Sequence, residues 1–264
     1  MSRYGVLGWP VAHSRSPAMF RALGVAYQLL PAPPELFGEI VPALGAAGYG
    51  GANVTIPHKE AALALADHPS ERAVAIGAAH TLTFAADGIH ADNTDAPGFL
   101  AALPTDPAGK RALVLGAGGS ARAVVWALRE RGAEVLVWNR TREKAEALGV
   151  TVVDEVVDAD ILVNCTSIGL GNSSSSEVPD FKLLPLAPDE LDEFSYVVDL
   201  VYRAGGTDLE RAARERGIPT VDGLEILVQQ GALSYESWFG RAPDLDAMRE
   251  AARTFDAPQT APDT

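Results

Sequence analysis

Two stretches of the chain carry residue types that do chemistry at useful spacing. The first is Gly116-Ala117-Gly118-Gly119-Ser120-Ala121, a G-x-G-x-x-A pattern between the apolar run Ala112-Leu113-Val114-Leu115 and a helical stretch from Ser120 to Arg131. In that setting the first glycine makes a tight turn, the second lets the backbone approach a pyrophosphate, and Ala121 is small enough for helix to pack on strand. The N–H groups and partial positive charge of the helix start then favour a bound anion. A glycine-rich turn without a ligand is the plainer alternative, but the strand before and the helix after point to dinucleotide binding. The residue about 20 positions on selects the nucleotide. Counting from Gly118, 139 − 118 = 21 lands on Asn139, followed by Arg140, Thr141 and Arg142, with Lys144 close by. A carboxylate there would repel a ribose 2′-phosphate, whereas an arginine pair grips it through charge-assisted, often bidentate bonds. NADP is therefore expected over NAD. Asn139 as a helix cap and the arginines as a solvated face fit the same residues.

The second stretch is Asn53-Val54-Thr55-Ile56-Pro57-His58-Lys59. With Pro57 as the first helical residue, Lys59 lies in the first turn, where a cation faces the positive end of the helix dipole. That placement favours the neutral amine and suits the residue to acid-base work. An exposed lysine tolerated at small cost fits the spacing equally well. Asp92-Asn93-Thr94-Asp95 precedes Ala96-Pro97-Gly98. One aspartate here can cap the next helix. Placed near Lys59, it would instead hold the ammonium and share in proton transfer.

Strand and helix signals alternate along the chain, which predicts an α/β fold. Ser16-Pro17 reads as a helix start with serine as the cap. Thr81 to Phe84 and Gly88 to Ala91 read as paired strands around an Asp87-Gly88 turn. Residues 104–109 form a linker candidate. Strands are expected at Glu134 to Trp138, Ile161 to Asn164 and Tyr196 to Asp199, and helices at Gly223 to Phe239 and Asp244 to Arg253. The stretch from Gly169 to Pro188, with serines from Ser173 to Ser176, reads as a loop. The 264 residues are 47% hydrophobic and 21% charged, an ordinary globular composition with room for two domains. No apolar run reaches the roughly 20 residues that cross a bilayer. A net charge of −14 repels phosphate backbones, so nucleic acid is not an expected partner. One cysteine, Cys165, excludes an intrachain disulfide and points to the cytoplasm. No metal is expected.

Taken together, the motifs resemble those of the shikimate dehydrogenase family. His13-Ser14-Arg15-Ser16-Pro17 is similar to its S-x-S-P motif, Asn53 to Lys59 to N-V-T-x-P-x-K, and Asn93 to Gly98 to N-T-D-x-x-G. Gly116 to Ala121, Asn139-Arg140-Thr141, Asn164 to Gly169, and the Gly223, Gln229-Gln230-Gly231 and Trp238 block also match, in order, over residues 4 to 240. The resemblance implies two domains: an N-terminal α/β substrate domain of residues 1–100 plus about 226–255, and a Rossmann-type doubly wound NADP-binding domain of residues 101–225. Residues 256–264 would form a disordered tail. It implies a small-molecule substrate, a cleft between domains, and reduction of 3-dehydroshikimate to shikimate. Ser14 and Ser16, helped by Tyr202, would bind the substrate carboxylate; Thr55, Lys59, Asp95 and Gln230 would hold ring hydroxyls. Lys59 would be the acid-base residue with Asp95 beside it, and Glu71, Leu200 and Gly223 would line the nicotinamide side.

The chain departs from the pattern at three places. His80 stands where the family usually has asparagine; it also offers one donor and one acceptor to ring hydroxyls, in a different geometry. Phe20 stands where histidine is common, and Arg203-Ala204 follows Tyr202 where proline usually comes second. His80 motivates a second reading, a quinate or amino-substituted ring acid as substrate. A third is an NADP(H)-binding sensor without turnover. A monomer and a homodimer both fit the sequence.

Overall fold

Strand and helix alternate from Arg3 to Thr254 in the computed structural model, which describes residues 2–170, 180–203 and 205–254. The serine run from Ser173 to Ser176, Ala204 and the tail expected at 256–264 lie outside the described residues. The chain divides into two units, one of Met1–Gly98 and Leu227–Thr264, the other of Phe99–Ile226.

The first unit is built on strands β1 (Arg3–Gly8), β2 (Tyr27–Pro31), β3 (Tyr49–Val54), β4 (His68–Pro69), β5 (Thr81–Ala85) and β6 (Gly88–Asp92). Its helices are α1 (Ser16–Ala22), α2 (Phe37–Ala46), α3 (Lys59–Ala64), α4 (Glu71–Ile76) and the start of α5 (Asp95–Ala102). The strands run in the order β2-β1-β3-β5-β6-β4. β5 pairs antiparallel with β3 and β6, and the other pairs are parallel. β1 is buried from Tyr4 to Gly8, as a strand covered on both faces must be. Phe37, Val41 and Leu44, one helical face of α2, pack with Leu7, Val54 and Leu82. Phe20 is fully buried and stacks on Tyr27 at 4.3 Å, so its place in the family pattern is filled by packing.

The second unit carries six parallel strands: β7 (Arg111–Leu115), β8 (Glu134–Trp138), β9 (Thr151–Val152), β10 (Ile161–Asn164), β11 (Tyr196–Asp199) and β12 (Thr220–Val221). Helices α6 (Gly119–Glu130), α7 (Arg142–Glu146) and α8 (Asp208–Glu215) connect them, in the order β12-β11-β10-β7-β8-β9, a doubly wound sheet. The chain then enters α9 (Gly223–Phe239) and ends its described part in α10 (Leu245–Thr254), whose Met248 and Ala252 are buried. No described helix is long and apolar enough to cross a membrane.

Several local expectations shift by one or two residues, three of them with a visible cause. α1 starts at Ser16 itself, with Arg15 in the cap position, and Ser14 Oγ rather than Ser16 accepts a backbone N–H, that of Ser16. α3 starts at Lys59 and not at Pro57, because residues 55–58 form a turn closed by His58 N–H on Thr55 O at 3.0 Å. The β5–β6 turn sits at Ala86-Asp87, since Ala85 pairs with Gly88.

Each sheet has a place where the winding of its parallel strands reverses direction. In the first unit it lies between β1 and β3, in the second between β7 and β10. Ligands of open α/β sheets settle outside the carboxyl ends of strands at such a reversal.

Candidate functional site

In the first unit the reversal gathers the loops after β1 and β3. Thr55 N–H donates to Leu7 O at 2.8 Å, and Trp9 N–H to Ile56 O at 3.0 Å. Ser14 and Ser16, both buried, place their hydroxyls 3.3 Å apart where the loop after β1 enters α1. In the turn after β3, the His58 ring stacks on Phe37 at 4.2 Å and donates from Nε2 to Ala32 O at 2.6 Å. That anchor fixes the start of α3, where Lys59 is the first helical residue.

Lys59 Nζ donates to Asp95 Oδ2 at 2.7 Å, with the two side chains 7% and 18% exposed. Asp95 opens α5 but does not cap it. Asn93 does, accepting the Ala96 N–H on Oδ1 at 3.2 Å while its amide donates to Ala78 O at 2.9 Å. The Asp95 carboxylate is thereby left for the lysine. Ala79 N–H donates to Lys59 O at 2.8 Å, which ties the segment carrying His80, just ahead of β5, to the same helix start.

His80 is buried, and its Nε2 lies 3.7 Å from Asp95 Oδ1. Its Nδ1 lies 2.6 Å from the Thr94 hydroxyl. Burial pushes the ring down to about 4, so it is neutral at pH 7. With its hydrogen on Nε2 the ring turns a positive N–H toward the carboxylate, an electrostatic contact at 3.7 Å rather than a hydrogen bond, and accepts from Thr94 on Nδ1. Burial also works to raise Asp95, but the charges of His80 and Lys59 and the lysine hydrogen bond outweigh it and hold the carboxyl below its ordinary value. With His80 neutral at pH 7, the ammonium is the operating partner there.

Behind these groups Asn53 donates to Ser234 Oγ at 2.7 Å and Thr81 Oγ1 at 3.2 Å, and accepts from Tyr27 OH at 2.7 Å. Ser234 Oγ also meets Thr94 Oγ1 at 3.1 Å and so locks α9 onto the floor of the site. Gly98 makes the approach of α9 possible, because a Cβ there would stand 2.7 Å from Gln230 Cα. Gln230 donates to Leu227 O at 2.7 Å, yet its buried Oε1 has no hydrogen-bond partner. An unmet buried acceptor costs about 1–3 kcal/mol, which a ligand hydroxyl would recover. The assembly offers two serine hydroxyls to an anion, an ammonium–carboxylate pair to a reacting oxygen, and an open acceptor to a hydroxyl. Glu71 is exposed in the first turn of α4, and no described contact joins it to Lys59, His80 or Asp95.

In the second unit Gly116 follows β7 with φ +108°, and a Cβ there would lie 3.1 Å from the Cys165 carbonyl after β10. Ala121 and Ala117 are buried, while Gly118 caps α6 with open space around it and no side chain capping the helix. Gly119 and Ser120 open the helix, so its first N–H groups face an uncovered turn. Asn139 donates to Thr141 O at 2.7 Å, and Thr141, not Asn139, occupies the cap of α7. Arg142 is held by Glu146 at 2.9 Å and by Asp154. Arg140 and Lys144 are exposed and have no side-chain partner among the described residues. Turn, helix start and an unpaired arginine fit a dinucleotide with a 2′-phosphate.

Leu200 follows β11 and donates from N–H to Asn164 O at 3.0 Å, and a Cβ at Gly223 would come within 2.5 Å of the Leu200 carbonyl. Tyr202 is half-buried two residues on. Beneath them lies a centre that the motifs hide. Asp199 is fully buried, accepting from Asn164 Nδ2 at 2.9 Å, Val201 N at 3.0 Å and Thr207 Oγ1 at 2.7 Å. Burial outweighs these bonds and pushes the carboxyl up to about 7. A carboxyl raised on folding gives stability that is whole below its unfolded value of about 3.9 and lost as pH rises through about 7. The melting temperature of Asp199→Asn is therefore expected to change less between pH 5 and pH 8 than that of the parent chain. Equal changes in both proteins would remove this account of Asp199.

Asn53, Thr81, Thr94 and Ser234 were not singled out as site residues by type or spacing, and neither were His58 and Asp199. Asn53, Thr94 and Asn164 do lie inside the recognised motifs, which was the available signal.

The chain matches three family models. Residues 6–82 match that of the shikimate dehydrogenase substrate binding domain, 101–167 that of shikimate / quinate 5-dehydrogenase, and 223–253 that of the shikimate 5′-dehydrogenase C-terminal domain. It is 43% identical over 269 residues to a shikimate dehydrogenase (NADP(+)) of Rhodopseudomonas palustris strain HaA2, covering 93% of each chain. It is similar to the crystal structure of shikimate 5-dehydrogenase from Thermus thermophilus in complex with NADP(H) and shikimate, with a TM-score of 0.82 and 41% identity over 96% of this chain and 99% of that one. The shikimate dehydrogenase of Aquifex aeolicus gives a TM-score of 0.85 at 34% identity, over 96% and 98% of the two chains.

Proposed function

The chain belongs to the shikimate dehydrogenase family, and on that premise we propose that it interconverts 3-dehydroshikimate and shikimate with NADP(H) as cofactor. Bound NADPH supplies the hydride to the ring ketone. The first unit is the substrate domain and the second the NADP domain. Lys59 gives a proton to the oxygen as it gains negative charge, and in the reverse direction takes it back. Asp95 holds the amine in place and balances its charge. Ser14 and Ser16 donate to the ring carboxylate, and Thr55 and Gln230 hold ring hydroxyls. The turn from Gly116 to Ala121 takes the pyrophosphate, and Asn139 to Arg142 the adenosine phosphate. The observation that carries this reading is the buried pair at 2.7 Å between Lys59 and Asp95, at the strand reversal of a unit separate from the nucleotide turn. The single cysteine supports a cytoplasmic setting.

The test is steady-state oxidation of shikimate and of quinate with NADP+. Higher kcat/KM for shikimate is expected; a preference for quinate would favour the second reading, which His80 motivates. In His80→Asn the ratio of the two kcat/KM values is expected to move by about two- to tenfold, the scale of one altered neutral hydrogen bond. An unmoved ratio would take His80 out of substrate selection.

A further inference from the structure

At the edge of the first unit's sheet, two strands and a turn bring together three side chains that the reaction does not use. We propose that His68, Asp87 and His90 form a binding site for a divalent transition-metal ion of the zinc class. β4 pairs in parallel with β6, with His68 opposite His90. Side chains opposed across neighbouring strands leave the sheet on the same face, and the two rings lie 4.6 Å apart, tilted by 35°. Asp87 enters from the β5–β6 turn. Its Oδ1 is 3.0 Å from His90 Nε2, and its Oδ2 is 3.8 Å from His68 Nε2. One ligand atom from each residue lies within 4.8 Å of the other two. Nitrogen and oxygen ligands of a tetrahedral zinc sit about 2.0–2.2 Å from the ion and so roughly 3.3 Å from one another, which small side-chain rotations reach from here.

The donor set chooses the ion. Two imidazoles and one carboxylate suit zinc, nickel or copper, whereas magnesium and calcium need oxygen cages. Both Nε2 atoms now point at Asp87, at its carbonyl from His68 (3.1 Å) and at its carboxylate from His90. On binding, each ring carries its hydrogen on Nδ1 and turns the Nε2 lone pair to the ion. The frame that sets the spacing is already closed: Asp67 N–H donates to Ile89 O, and Ile89 N–H to Asp67 Oδ2, each at 2.9 Å. The exposed side chains leave a fourth position to water.

The experiment titrates the chelator-treated full chain with zinc chloride by calorimetry, beside His68→Gln and His90→Gln. One saturable site is expected in the parent chain, with affinity lower by at least about 10- to 100-fold in each variant and no comparable response to magnesium. Unchanged NADP+-dependent turnover of both variants in metal-free buffer would show that their fold survives, because neither residue belongs to the Lys59 site. No saturable zinc binding in the parent, or equal binding in parent and variants, would overturn the proposal.

Discussion

Replacing Lys59 by alanine is expected to lower kcat for shikimate oxidation by about 10²- to 10⁴-fold, the usual contribution of a positioned acid-base group. The argument rests on position. Lys59 opens α3 at the strand reversal, its ammonium is nine-tenths buried, and its described partner is a carboxylate that faces no helix cap. The alanine variant also leaves Asp95 buried without its cation, and breaking a buried pair costs about 3–5 kcal/mol of stability. Lys59→Arg separates the two effects. It keeps a cation for Asp95 but supplies a guanidinium that does not give up its proton. The arginine variant is therefore expected to melt closer to the parent than the alanine variant does, and to be similarly slow. Parent-like kcat in either variant would end the role assigned to Lys59.

Arg140→Ala is expected to raise KM for NADP+ by about 10- to 100-fold while leaving KM for NAD+ nearly unchanged, since a hydrogen bond to a charged group is worth about 1.5–3 kcal/mol. Arg142→Ala should do less. Glu146 and Asp154 already occupy its guanidinium, whereas Arg140 has no side-chain partner among the described residues. On the proposed reading, selection of the 2′-phosphate then rests on Arg140 alone rather than on the expected pair. Equal loss for NADP+ and NAD+ in Arg140→Ala would place that side chain away from the 2′-phosphate.

The nucleotide turn was legible because its chemistry is local: a tight turn, a close approach and a small packing residue sit within six positions. Strands such as β8, β10 and β11 could be bounded for a similar reason, since an apolar run between polar turns has few alternatives in a parallel sheet. The helix starts were less legible. Ser16 and Pro57 carry strong local signals, yet a serine two residues earlier and a turn after β3 took the places those signals claimed. The substrate-side network was hidden for a different reason. Asn53 and Ser234 meet at 2.7 Å across 181 residues, and no periodicity encodes such a contact. The same holds for Asp199 with Asn164 and Thr207, and for His68 with His90, which only the β4–β6 register brings together. Whether Lys59 and Asp95 meet was likewise open in the sequence; the resemblance implied it, and Asn93 makes it possible by taking the cap.

The most direct measurement supplies 3-dehydroshikimate with NADPH carrying deuterium at either face of nicotinamide C4 and weighs the product. The account predicts that shikimate forms and that one of the two labelled faces, and not the other, delivers a deuterium to its ring carbon. Tight binding of NADPH with no reduced product would contradict it and leave a nucleotide-binding protein without this reaction.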